Sequence, residues 1–204
     1  TFTNTLEALD SSGLFLSEVN AVFSALQGAD TNPVIQNIAK EVSPLQTAHS
    51  DNIRLNEKLF GRVKAVFDQR DKLKLSPEQR FLLEHTYRDF VRGGALLDEK
   101  QKARLRELNR DLAMLSLRFG DNLLAETNDF KLVIEDREDL AGLPPSVIAM
   151  AEASARQSKM PGKWVFTVQV PSMTPFLTYS TKRDLREKLH RGYFMRGDRG
   201  NDHD

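Results

Sequence analysis

The sequence contains no cysteine. This absence excludes disulfide bonds, thiolate metal sites and cysteine nucleophiles together, and it is compatible with a reducing cytosol, which is the localisation we expect. No apolar run approaches the ~18 residues of a membrane-spanning helix, so we expect no membrane partner. The chain opens at Thr1 with neither a Met nor a basic, apolar secretory pattern. We expect both ends to be cuts in a longer protein.

Histidine is scarce, and its spacing argues against a metal site. His49, His85, His190 and His203 are far apart, so the motif H-E-x-x-H, which places two imidazoles on one helical face around zinc, is absent. Phe81 to His85 has the outline of the inverted motif H-x-x-E-H, but a phenyl ring stands where the first ligand would be. We interpret His49, which continues an apolar stripe, as a hydrogen-bonded core or boundary residue, and His190 as solvated.

Other catalytic patterns are missing as well. There is no Gly-x-Ser-x-Gly elbow to activate a serine and no glycine-rich phosphate loop. The glycines that follow Arg92 are best explained as a helix end. The acids between residues 135 and 139 are typical of a solvent-exposed turn rather than of an acid–base pair. We therefore predict no catalytic, cofactor-binding or metal-binding residue in this chain.

Positive and negative side chains balance at 29 each, which weighs against a dedicated nucleic-acid-binding protein. The exception is the segment 181–199, in which seven Lys or Arg stand against three acids. We interpret it as a solvated helix face. Nucleic-acid binding through this segment is an alternative hypothesis, which steeply salt-dependent binding would support and indifference to salt would contradict.

Apolar residues recur at helical spacing over most of the chain. The first predicted helix contains residues 15–26. Asn32 and Pro33 form a cap and first-turn pair that begins the second, because Asn offers an acceptor and Pro has no N–H to leave unsatisfied. Pro44 should kink or split this second helix. Residues 59–66 form the stripe of a third.

A capping box predicts the next helix. Ser76 and Gln79 can satisfy each other's backbone N–H groups, and the helix should run to about Arg92. A longer helix follows from Asp98, and its apolar residues have the 3-4-3-4 spacing of a seam for a neighbouring helix: Leu105, Leu108, Leu112, Leu115 and Phe119. The tight connection between these two helices suggests an antiparallel hairpin.

The pattern changes after Asn128. Residues 130–134 and 164–170 are rich in β-branched and aromatic side chains, which indicates strands. A helix that opens with Leu143, Pro144 and Pro145 is predicted to run to about Ser158, and a last helix is predicted at 181–196. The fold class is therefore mainly α: helical hairpins or a bundle, with a small two-stranded β element in the last third. We expect a helical region at 1–128 and a strand-helix-strand-helix segment at 129–204 packed on it.

Six stretches carry a family resemblance. RVKAVFDQR at 62–70, LEHTYRDFVR at 83–92, KARLRELN at 102–109 and NLLAETN at 122–128 are similar to the early helices of the thimet oligopeptidase and peptidyl-dipeptidase family of zinc metallopeptidases. LAGLP at 140–144 and GKWV at 162–165 are similar too. The resemblance covers nearly the whole chain in register, and the bacterial dipeptidyl carboxypeptidase branch is the most similar.

The resemblance implies an enzyme in which two mostly helical halves enclose a deep channel. Such an enzyme trims short peptides. The family's zinc is held by H-E-x-x-H and a further carboxylate in the later part of the polypeptide, where it polarises the scissile carbonyl and activates water. This sequence stops before those residues, so no site residue is transferred to it. The expected cofactor, zinc, belongs to the parent protein only.

We therefore expect a chain that lines part of the channel wall, is inactive alone and has its own C-terminal catalytic region as a partner. Short peptides are the substrates expected for the parent protein. Apolar side chains should be exposed on its long helices, because their partner lies outside the sequence. The alternative is a stand-alone helical interaction module without catalysis, which would need a self-contained core and an even polar surface.

Overall fold

The computed structural model describes residues 1–203, and most of them are helical. A π-helical turn at Thr3–Glu7 runs into a short helix α1, and the later irregular turn at Arg137–Leu140 is 3₁₀. The helices are α1 (Ala8–Asp10), α2 (Leu14–Ala29), α3 (Pro33–Arg54), α4 (Glu57–Phe67), α5 (Pro77–Arg92), α6 (Glu99–Asp129), α7 (Pro145–Gln157), α8 (Val170–Tyr179) and α9 (Arg183–Phe194). The strands are β1 (Leu132–Ile134) and β2 (Trp164–Phe166).

The mainly α fold with a small two-stranded sheet is confirmed. β1 pairs antiparallel with β2, and Val133 lies opposite Val165. Both strands are shorter than predicted. β1 begins late because α6 extends to Asp129, and β2 ends early because the chain turns after Phe166 and enters α8, a helix that the sequence pattern did not predict. Pro171 suits the first turn of α8, where a missing N–H costs no hydrogen bond.

Two compact units divide the chain within α6: Thr1–Leu117 and Arg118–Asp204. The sequence pattern instead placed the change of architecture after residue 128, near the end of α6. Each unit has its own cluster of buried apolar side chains.

Helix α3 begins where the sequence predicted. The Asn32 side-chain oxygen accepts hydrogen bonds from the backbone N–H groups of Val34 and Ile35, at 3.0 and 3.1 Å. The helix is continuous from Pro33 to Arg54, so Pro44 does not split it, and the predicted kink stays a prediction. Proline removes a single backbone donor, and the remaining turns of this 22-residue helix keep the segment helical.

The core of the first unit lies between α4 and α5. The capping box that begins α5 is confirmed, since Ser76 Oγ accepts from the Gln79 N–H and Gln79 Oε1 accepts from the Ser76 N–H. The rings of Phe67 and Tyr87 stack with centroids 3.9 Å apart. The helix that packs against α5 is thus α4. The predicted hairpin of α5 with α6 stays a prediction.

The core of the second unit joins the sheet to α7, α8 and α9. Its buried side chains include Ile134, Phe166, Phe176 and Leu189. The ring centroids of Phe166 and Phe176 lie 4.6 Å apart. Gly142 turns the chain with φ of +88°, and a Cβ there would lie 2.3 Å from the Tyr179 carbonyl oxygen. Only glycine fits this position without strain.

Truncating a core side chain in the first unit should cost far more stability than truncating an exposed one. Leu83 is 0% exposed, so Leu83→Ala should lower the free energy of unfolding of this unit by about 2–5 kcal/mol. Leu45→Ala removes the same atoms from a residue that is 70% exposed. It should change the free energy of unfolding by less than about 0.5 kcal/mol. Urea unfolding followed by circular dichroism measures both, and equal effects would contradict the assignment of the core.

Candidate interaction surface

The histidines do not come together in the structure. His85 Nδ1 lies 2.9 Å from Asp89 Oδ2, and His203 Nε2 lies 4.0 Å from Asp129 Oδ2. His190 is exposed beside the Phe194 ring, as predicted. His49 is exposed as well, so its interpretation as a core or boundary residue is wrong. Leu45, on the same apolar stripe of α3, is also exposed, whereas Val42 is half-buried.

Metal-binding side chains are not clustered in the part of the chain that the structure describes. Residues 1–203 contain no group of three His, Asp or Glu side chains that could hold a metal ion. The acids at 135–139 lie in and beside the 3₁₀ turn, where Asp139 pairs with Lys182 at 3.0 Å. That the chain has no catalytic, cofactor-binding or metal-binding residue stays a prediction.

One buried cation lies at the start of α6 in the first unit. The Lys102 side chain is 4% exposed, and its Nζ lies 2.8 Å from Glu57 Oε1 and 3.1 Å from Glu99 Oε1. The hydrogen bond with Lys102 lowers the pKa of Glu57, and that with Glu57 raises the pKa of Lys102. The contact with Glu57 ties α4 to the start of α6. Because both acids are largely exposed, the three side chains form no enclosed site.

One buried acid lies in the second unit. The carboxylate of Glu126, which is 1% exposed, accepts hydrogen bonds from the Gly197 N–H and from Asn201 Nδ2, both at 2.6 Å. Arg199 Nε lies 3.8 Å from the same carboxylate. Glu126 therefore holds the segment that follows α9 against the last turns of α6, which is a structural role.

The basic segment 181–199 is engaged in contacts within its own unit. Lys182 pairs with Asp139, Arg191 Nε lies 3.0 Å from Glu187 Oε1, and Arg196 Nη1 donates to Thr127 Oγ1 at 2.8 Å. Lys182 and Arg196 thus join α9 and its flanking residues to other elements of the unit, whereas the pair of Arg191 with Glu187 lies within α9. The described contacts give no support to nucleic-acid binding.

Helix α2 is unusual in its composition and its exposure. Glu18 is the one charged residue among its 16 residues, and none of the 16 is buried. Four large apolar side chains follow one another at four- and three-residue steps: Phe15, Val19, Val22 and Leu26, which are 47% to 79% exposed. We call these four residues the α2 seam. Such spacing is typical of a helix that packs along another helix.

The side of α2 that faces its own unit is more polar than the seam. Asn20, Phe23 and Gln27 lie one above the other and are half-buried, and Gln46 Nε2 of α3 donates to Asn20 Oδ1 at 2.6 Å. A surface helix normally turns its apolar stripe toward the core and its polar residues toward water. In α2 this arrangement is inverted.

An open groove lies along the seam. It measures about 430 Å³ and is lined by Val19, Val22, Phe23 and Leu26, with Glu18 at its margin. Apolar side chains of a partner can enter such a groove without leaving polar atoms unpaired. None of the helices in the described part of the chain is long and apolar enough to cross a membrane.

The middle of α6 shows the same inversion. Leu108, Leu112 and Leu115 are 47% to 63% exposed, whereas Asn109 between them faces α3 and donates to Asp51 Oδ1 at 2.7 Å. The described residues supply no neighbouring helix for the middle of this seam, where these three leucines are exposed, whereas Leu105 is half-buried.

Comparison with known proteins identifies the family. No family model matches the chain. It is 37% identical over 203 residues to a dipeptidyl carboxypeptidase of Salmonella typhimurium and 34% identical to the Escherichia coli protein of that name, over 100% of this chain and 30% of each relative. An oligopeptidase A of Haemophilus influenzae is 31% identical over 153 residues, which are 75% of this chain and 22% of that protein.

The chain belongs to the thimet oligopeptidase family. The resemblance carried by the six stretches between residues 62 and 165 is thereby confirmed. The chain spans about a third or less of the length of the relatives it matches.

The ion pair at Lys102 should make stability depend on pH on the acid side. The pKa of Glu57 is lowered in the folded state. Its ionised carboxylate therefore stabilises the fold above the ordinary glutamate pKa, and this stabilisation is lost as the pH falls through the lowered pKa. Unfolding free energies should therefore decline below about pH 4. The decline should be smaller in Lys102→Met and unchanged in Lys100→Met, which alters an exposed lysine on the same helix. Urea unfolding at pH 3 to 6 measures this, and equal slopes in the two variants would contradict it.

Proposed function

We propose that this chain is a helical, non-catalytic portion of a zinc-dependent peptidyl-dipeptidase or oligopeptidase that trims short peptides. The similarity along its whole length to two dipeptidyl carboxypeptidases supports the proposal most directly. The matched region is 30% of each relative, so the chemistry is assigned to polypeptide that this chain does not include.

The donor groups of the described residues do not fit the expected zinc ion. A catalytic zinc site takes three protein ligands from His, Cys, Asp or Glu. No such group occurs within residues 1–203, and the nearest motif has Phe81 in place of a ligand. The lack of such a group supports the proposal that the zinc ligands and the general base belong to the remainder of the parent protein and that this chain is inactive alone.

The role proposed for the chain is architectural. Its long helices form part of a wall around a channel that admits short, extended peptides and excludes folded ones. The remainder of the parent polypeptide is its partner, and the layout with a helical region at 1–128 and a mixed segment at 129–204 belongs to this proposal. The expected location of the parent protein is the cytoplasm.

A stand-alone interaction module is the less well supported alternative. Such a module would need an even polar surface, because large exposed apolar patches are unusual on a monomer. The seam of α2 and the leucines of α6 depart from that requirement. Both features are expected of a part that is covered in its parent protein.

The isolated chain should contain no stoichiometric zinc and should not cleave a short quenched peptide. Metal analysis after loading with zinc, and fluorescence during incubation with the peptide, measure the two properties. One zinc ion per chain together with turnover would contradict the proposed inactivity.

A chimera tests the proposed function itself. In it, this chain replaces the matched 203 residues of the Salmonella typhimurium dipeptidyl carboxypeptidase. The chimera should release dipeptides with a kcat/KM within about tenfold of the intact relative, which is about 1.4 kcal/mol of transition-state stabilisation. A chimera that folds and binds zinc but has no peptidase activity would count against the proposal.

A further inference from the structure

We propose that the α2 seam is the docking surface for an apolar-seamed helix in the part of the parent polypeptide that this chain does not include. The inference rests on the proposed function, since the occupant is assigned to the same peptidase. It goes further by naming the contact element and the kind of partner. The observation that carries it is the inverted polarity of α2.

The spacing of the seam selects a helical partner. Phe15, Val19, Val22 and Leu26 form one continuous row along α2, and side chains of a second helix can interlock with such a row. The groove of about 430 Å³ beside the row has the apolar lining that such side chains require. Glu18 at its margin favours a basic residue at the edge of the partner.

The length of the relatives indicates where that helix comes from. More than two thirds of each dipeptidyl carboxypeptidase lies outside the matched region, which leaves more than twice the length of this chain to supply it. A partner in the same polypeptide docks at a high effective concentration. A second copy of this chain is the competing occupant, and the experiments below distinguish the two.

The absence of cysteine allows a direct test. Val22→Cys places a thiol on the seam, and Lys58→Cys places a control thiol at an exposed position of α4. Each is made in the isolated chain and in a cysteine-free version of the chimera, and the rate of reaction with a thiol reagent is measured. The rate at position 22 should fall at least about tenfold in the chimera, and that at position 58 should stay within about twofold.

The outcomes separate this inference from the proposed function. An active chimera in which the thiol at position 22 reacts as fast as in the isolated chain overturns the docking surface and leaves the function standing. A protected thiol in a chimera that binds zinc but cleaves no peptide supports the docking surface and counts against the function.

A second measurement needs only the isolated chain. Phe15→Asp should leave its circular dichroism and its unfolding midpoint essentially unchanged, because nothing within the chain packs on the seam. Sedimentation equilibrium should show a monomer for both the unchanged chain and Phe15→Asp. A marked loss of stability would show that the seam is packed within the chain, and a stable dimer abolished by Phe15→Asp would identify a second copy as the occupant. Either result overturns the inference even if the chimera fails to fold.

Discussion

Helices in water depend on tertiary packing for most of their stability, because isolated helices shorter than ~12–15 residues are marginal. The two buried clusters of this chain meet that requirement for α4 and α5 in one unit, and for α7, α8 and α9 in the other. Helix α2 lies outside both clusters. Its 16 residues include none that is buried. The proposed role of the chain follows from this imbalance between packed and unpacked helices.

The buried charged groups explain why we assign function to a surface and not to an enclosed site. Lys102 and Glu126 are both largely removed from water, and each has hydrogen-bonding partners of the kind that structural contacts provide. Burial of a charge is costly without such partners. These groups thus secure the start of α6 in the first unit and the segment after α9 in the second.

Local signals predicted helix boundaries well. Asn32 and Ser76 cap helices in the structure because their side chains and the N–H groups they satisfy lie within three residues. Periodicity was less informative about neighbours: it marks a face of a helix without showing which element covers it. For that reason the pattern did not predict α4 as the neighbour of α5, and the prediction that His49 is a core or boundary residue is wrong.

The candidate surface was predictable only in part. The spacing from Phe15 to Leu26 marks a packing seam in the sequence alone. That the seam faces away from its own unit, while the more polar side of α2 faces inward, depends on where α3 lies. The hydrogen bond between Gln46 and Asn20 shows the position of α3, and the sequence does not. The sequence pattern did not predict helix α8, because residues 164–170 have strand composition throughout. The turn after Phe166 is closed by a hydrogen bond from the Thr167 N–H to Ser172 Oγ, a local contact that strand composition does not reveal.

Amide hydrogen exchange of the isolated chain tests the central claim most directly. If α2 lacks its packing partner, amides in the middle of α2 should exchange by local opening, well before those of α4 and α5 around Val63 and Leu83. Protection of α2 equal to that of α4 and α5 would show that the helix is stabilised within this chain, and it would contradict the account of a surface that requires the rest of the protein.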